Sequence, residues 1–199
     1  MPECHRCLFT CVALTGVRFG ELLALQWKHI NFQSKTLKIE QSLWQGQIVP
    51  PKTRSSVRSI PLGDILVRAL ETHRRISTYT RPDDFVFCNS DGKWLHPDVL
   101  RKDVLYPALD RLNIPRINGA SGFHAFRHSA ASLINAETGN QKLTQRFLGH
   151  SDVNTTANIY THTTEEMERE ATIVLEKAIF GNLCPIVPVL ETGHKNTIN

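Results

Sequence analysis

Apolar residues run together in Cys7-Leu8-Phe9-Thr10-Cys11-Val12-Ala13-Leu14, as they do in a buried helix. Thr15-Gly16 interrupts the run, and Arg18-Phe19-Gly20-Glu21-Leu22-Leu23-Ala24-Leu25 resumes with strong helix formers. Gly16 and Gly20 are costly in a helix interior, so both are expected to flank or tighten a turn. From about His29 to Leu62 the period changes. Thr36-Leu37-Lys38-Ile39-Glu40 alternates polar and apolar residues, Gln45-Gly46 marks a turn, and Val57-Arg58-Ser59-Ile60 alternates again before Pro61. A small antiparallel sheet is expected here, with Lys52-Thr53-Arg54-Ser55 in the polar connection before its last strand.

Helical spacing returns at Gly63, with Ile65, Leu66, Ala69 and Leu70 on one face. Phe85-Val86-Phe87 is a short extended piece followed by the turn Asn89-Ser90-Asp91-Gly92. His96-Pro97-Asp98 starts another helix, proline being suited to a first helical position. Asn118–Gly122 is a loop, and a helix opens near Phe123. Further helical patterns cover Leu143–Leu148, Thr155–Tyr160 and Thr164–Phe180, the last with Met167, Ala171, Val174 and Ala178 on its apolar face. The expected fold is mainly α with a small antiparallel β-sheet (α+β). Residues 1–180 are expected to form one domain, followed by a tail, residues 181–199, that contains Pro185 and Pro188.

With 41% hydrophobic residues among 199, the chain can bury a core without disulfides. No stretch approaches the roughly 18 consecutive apolar residues of a membrane helix, and the start lacks a secretory pattern. A cytoplasmic protein is therefore expected. The five cysteines, an odd count, point to reduced thiols. Cys4-x-x-Cys7 with Cys11 has a zinc-like spacing but no clear fourth ligand, and incidental cysteines on a helical turn are the favoured reading. A net charge of +4 permits a nucleic-acid partner without requiring one.

Five polar clusters stand apart, each near a turn or helix end: residues 16–22, 52–62, 124–128, 148–151 and 159–162. Singly, each has a dull explanation. Arg18 and Glu21 fit a surface helix pair, Lys52 a solvated lysine, and His124 with His128 either a metal pair or a chance spacing. Together they suit one chemistry. Two arginines grip phosphodiester oxygens bidentately, histidines donate or relay protons near neutrality, and a lysine protonates a leaving oxygen. A tyrosine attacks phosphorus to form a covalent intermediate. Phenol has a pKa of roughly 10, so it needs cationic neighbours or a base. No metal or cofactor is required, because the arginines neutralise charge on the transition-state oxygens.

In order and spacing these clusters resemble the tyrosine recombinase (phage integrase) family from about Thr15 to His162. Thr15-Gly16-Val17-Arg18-Phe19-Gly20-Glu21-Leu22 resembles the family's first arginine box, which makes Arg18 the first phosphate clamp and Glu21 the acidic partner that orders the site. Lys52, in the run Lys-Thr-x-x-Ser-x-Arg-x-Ile-Pro-Leu, resembles the family's hairpin lysine, implied as general acid. His124 and Arg127 match the His-x-x-Arg box, His150 the Leu-Gly-His box, and Tyr160 the nucleophile. Phe126 replaces the commoner leucine, and His150 to Tyr160 is one residue longer than in many members.

The resemblance implies a site-specific recombinase or integrase catalytic domain. Its partner would be double-stranded DNA, gripped as a homo-tetramer on paired sites and as a monomer when free. Tyr160 would form a 3′-phosphotyrosyl link, later attacked by a 5′-hydroxyl. Members usually carry an N-terminal helical domain that closes over DNA, and some fifteen residues precede the first box here, so that domain is expected to be absent from this chain. Two rivals stay open: a non-enzymatic DNA-binding remnant of a mobile element, and a relaxing enzyme resembling type IB topoisomerases. The apolar run Leu183–Leu190 is expected either to fold back on its own domain or to dock on a neighbouring protomer.

Overall fold

The first apolar run forms α1 (Glu3–Thr15), which buries Leu8, Cys11, Val12 and Leu14 at the centre of the fold. The structure, a computed structural model, describes residues 3–50, 57–115, 122–149 and 165–181. Around α1 pack α3 (Asp64–Ile76), α6 (His124–Thr138) and α8 (Glu165–Phe180). The five cysteines include two, Cys7 and Cys11, that this packing buries, and burial pushes the Cys11 thiol up to about 12.

α1 stops where its chemistry changes. The Thr15 hydroxyl donates to Cys11 O at 2.6 Å, and Gly16 takes the left-handed conformation at φ +57°. A Cβ on Gly16 would also come within 2.5 Å of Leu148, so glycine is demanded twice over. The short α2 (Phe19–Leu23) follows, with Arg18 at its N-cap. Gly20 departs from expectation by lying inside α2. The reason is close packing: a Cβ there would meet the Leu43 carbonyl oxygen at 2.6 Å.

The strand patterns fold as two small antiparallel sheets rather than one. β1 (Ile30–Asn31), β2 (Thr36–Ile39) and β5 (Arg58–Pro61) form the first, with β2 in the middle. Its register places Ile30, Leu37 and Ile60 side by side as one buried rung. β3 (Ser42–Trp44) and β4 (Gln47–Val49) pair separately across Gln45-Gly46. Both turn residues have positive φ, 48° and 77°, as a tight two-residue hairpin requires.

α3 is amphipathic, and its buried face carries Leu66, Val67, Leu70 and His73. Phe85 and Cys88 make isolated bridges to Gln26 and Trp94 rather than a strand. α4 (Pro97–Val99), a π turn over Leu100–Leu105 and α5 (Tyr106–Arg111) run as one irregular helix. Pro107 accounts for the widened register, since it lacks an N–H and its ring crowds the preceding turn. α6 ends at Gly139 with φ +62°, and Asn140 caps α7 (Gln141–Leu148) by accepting from Leu143 N. α7 in turn ends at Gly149, φ +67°.

α8 spans nearly the expected residues but presents a different face. Ala171, Thr172 and Leu175 are buried, whereas Ala178 is exposed and Met167 and Val174 are half-buried. The burial of Thr172 accompanies the rotation: its hydroxyl lies between two acceptors, Glu168 O at 3.1 Å on its own helix and Pro61 O at 3.2 Å on β5. The expected helix over 155–160 and the 182–199 tail lie outside the described residues. No described helix is long and apolar enough to cross a membrane.

Candidate active site

Three element ends, two of them marked by glycine, converge on one charged cluster. Gly16 turns α1 into the Arg18 N-cap of α2, β5 begins at Arg58, and Gly149 closes α7. Arg127 rises from α6 beneath them. It shares the helix's buried face with Ala130 and Ile134, three and seven positions on. Four phenylalanines pin the start of that helix. Phe19 stacks on Phe123 with ring centroids 3.5 Å apart, and Phe9 lies 5.6 Å from Phe126, the residue that stands where leucine was the commoner choice.

Glu21 is the hub. It is only 4% exposed, so it is no surface helix pair, and both of its oxygens are shared. Oε1 accepts from Arg18 Nη1 at 3.0 Å and Arg58 Nη1 at 3.3 Å, while Oε2 accepts from Arg18 N at 2.9 Å and Arg58 Nη2 at 3.0 Å. Burial alone would raise this carboxyl, but the Arg58 charge and the hydrogen bonds from Arg58 and Arg18 outweigh it and hold Glu21 below the usual carboxylate range.

Arg127 is bound by backbone instead. Its Nη1 donates to Gly16 O at 2.8 Å and its Nη2 to Leu148 O at 2.7 Å, bridging the two left-handed turns. Burial first, then repulsion from Arg18 and Arg58, brings its pKa down to about 10, which leaves it charged at neutrality. Arg18 completes the ring by donating from Nη2 to Gly149 O at 3.3 Å. Its side chain is 36% exposed, against 8% for Arg58. The cluster thus carries three guanidiniums against one carboxylate, with Arg18 as its most open face. Such an arrangement attracts and orients an oxyanion held in tetrahedral geometry.

Of the residues singled out in the sequence, Arg18, Glu21 and Arg127 meet in this cluster. His124 sits exposed at the first turn of α6, one turn before Arg127, with its ring centroid 6.3 Å from that of His128. Lys52, His150 and Tyr160 lie outside the described residues. Arg58 was passed over, although its signal was present. The alternation of Val57-Arg58-Ser59-Ile60 places Arg58 on the same strand face as buried Ile60, and a charge facing inward needs a partner.

A model of the phage integrase family matches residues 2–167. The tyrosine recombinase XerC-like protein of Caldanaerobacter subterraneus subsp. tengcongensis is 30% identical over 190 residues, covering 83% of this chain and 47% of that protein. The integrase of Staphylococcus phage L54a is 31% identical over 183 residues, covering 84% and 50%. Among solved structures, the Tn1549 transposon integrase in complex with circular intermediate DNA matches with a TM-score of 0.63 at 25% identity, over 86% of this chain and 59% of that one. The XerH site-specific recombinase bound to difH substrate matches with a TM-score of 0.58 at 25% identity, over 85% and 46%. The chain spans about half the length of the curated relatives it matches.

Proposed function

Because this chain belongs to the phage integrase family, we propose that it is the catalytic domain of a site-specific DNA recombinase that cuts and rejoins strands through Tyr160. The observation that carries this reading is the guanidinium cluster. Folding brings Arg127 to the turn that presents Arg18, across 111 residues of chain to Gly16, and leaves Arg127 charged at neutrality. A scissile phosphate set against the exposed edge of Arg18 would have its non-bridging oxygens neutralised as charge builds in the transition state.

In this scheme the Tyr160 oxygen bonds to phosphorus as its proton passes to a base, the role assigned to a site histidine, and the 5′-oxygen leaves, taking a proton for which Lys52 is the assigned donor. A 3′-phosphotyrosyl link and a free 5′-hydroxyl result. The 5′-hydroxyl of a partner strand then attacks that phosphorus and returns the electron pair and a proton to Tyr160. The phosphotyrosine retains the energy of the broken ester, so no nucleotide is consumed. His124 and His150 are assigned to proton transfer and oxyanion contact, and Glu21 to ordering Arg18. Residues 1–180 would form this domain and 181–199 a tail. Double-stranded DNA in the cytoplasm would be the partner, with four copies assembling on paired sites and a monomer when free.

The test is covalent capture on nicked DNA whose short 5′ product diffuses away. Tyr160→Phe should abolish the adduct and leave DNA affinity nearly unchanged, because the hydroxyl attacks rather than grips. An adduct that persists in Tyr160→Phe would assign the nucleophile elsewhere and overturn the reading.

A further inference from the structure

Arg58 sits behind the residues that face solvent. It starts β5, where Ile39 of β2 pairs with it in the ladder, so its backbone is anchored on the interior side of the cluster. Its planar fork meets the Glu21 carboxylate at two points, 3.3 Å and 3.0 Å, and its side chain also lies flush under Gly149. A Cβ on Gly149 would approach Arg58 Cδ, Nη1 and Cζ at 2.9, 3.0 and 3.1 Å. Arg58 therefore touches both of the groups that hold the Arg18 side chain, the Glu21 carboxylate and the Gly149 turn.

The charges give this contact a purpose. A buried carboxylate paired with Arg18 alone would cancel the positive charge that a phosphate is to meet. A second guanidinium, bound from behind, answers the carboxylate and leaves the exposed edge of Arg18 electropositive. We propose that Arg58 is a positioning residue of this site: it clamps Glu21 so that Arg18 is held rigidly with its charge uncancelled, and it supports the Gly149 turn that leads into His150. The proposal rests on the recombinase reading above. Arg58 acts through its neighbours, and a fork suits the role better than a single-point ammonium, which restores the charge without fixing both carboxylate oxygens.

The experiment follows Tyr160-dependent adduct formation on nicked DNA as a function of pH in the full chain, with DNA affinity and thermal unfolding measured alongside. Arg58→Met, which retains bulk, should slow cleavage by roughly 10- to 100-fold, the loss expected when a charged hydrogen-bond partner is removed. Affinity should change far less than the rate. Glu21 is faced by Arg18 from its own turn and Arg58 from β5, with Arg127 of α6 in the same cluster. Without Arg58, burial acts on Glu21 against Arg18 and the more distant charge of Arg127, so the Arg58→Met rate should fall further as the pH is lowered towards the carboxylate range, a limb absent from the unsubstituted protein. Glu21→Gln combined with Arg58→Met should lack that limb, and Arg58→Lys should recover part of the rate. Cleavage at the unsubstituted rate in Arg58→Met would overturn the proposal. So would a loss that is equal at every pH and matched by lost affinity or unfolding, for that is a purely structural ion pair. If the unsubstituted protein itself forms no Tyr160-dependent adduct, the recombinase reading fails first and takes this role with it. If the adduct forms and Arg58→Met is unchanged, only this role fails.

Discussion

Arg127 donates to two carbonyls from opposite sides of the site, Gly16 O and Leu148 O, while Arg18 leans on Glu21 and stays partly open to solvent. The two arginines should therefore fail differently. Arg18→Ala is expected to reduce cleavage by two to three orders of magnitude, roughly the effect of removing one transition-state donor, with little change in urea midpoint. Arg127→Ala should lose cleavage at least as severely and also lose stability. Each buried carbonyl left without a donor costs about 1–3 kcal/mol, and the guanidinium's packing disappears as well. Arg127→Lys keeps the charge but satisfies the two carbonyls poorly, so it should rescue little of either property. Suicide-substrate kinetics and urea titration of all three variants check this. Near-normal cleavage in Arg127→Lys would count against a forked role for that residue.

At the scale of elements, α3 and α8 are joined through a cap that comes from far along the chain. Gly63, the N-cap of α3, has no side chain to offer, and Glu176 Oε1 of α8 accepts instead from Ile65 N at 2.9 Å and Leu66 N at 3.2 Å. A Cβ on Gly63 would run into the Glu176 carboxylate. Burial raises the Glu176 carboxyl, outweighing the two N–H donors. Because folding raises this pKa, the folded state takes up the proton first. Stability is fully present below the ordinary carboxylate value and is lost as pH rises through the higher folded value. Glu176→Gln retains the accepting oxygen without the charge, so it should be at least as stable as the parent at neutral pH and lack that loss. Glu176→Ala removes the cap and should cost about 1 kcal/mol. Melting curves across the carboxylate range, run on the parent and both variants, distinguish cap from charge.

For the whole molecule, the net charge of +4 and the open face of Arg18 bear on how DNA is held. Affinity for duplex is expected to fall linearly on a log–log plot against salt, with a slope of about −0.9 for each phosphate neutralised. Arg18→Ala should reduce that slope by about one phosphate. A fluorescence-anisotropy titration at several salt concentrations reads the change. An Arg18→Ala slope equal to that of the unsubstituted protein would mean that Arg18 does not meet a phosphate in the bound complex.

Periodicity along the chain was enough to place α1, β2, the Gln45-Gly46 turn, α3, α6 and α7, because each depends on contacts a few residues apart and on which side of a local element is apolar. The boxes that resemble the family likewise named Arg18, Glu21 and Arg127, which the fold brings into one cluster. What lay beyond local pattern needed the fold. The turn expected at Gly20 became a helix interior because β3 presses its backbone against it, and the apolar face of α8 turned, with Thr172 buried against Pro61. The capping of α3 by Glu176 and the partnership of Arg58 with Glu21 both join segments distant in sequence. Residue order determined which chemical groups this protein carries and which short elements bear them. Only the tertiary structure decided that a carboxylate would be buried between two guanidiniums, because that choice balances desolvation against charge pairing across elements that meet nowhere but in the folded chain.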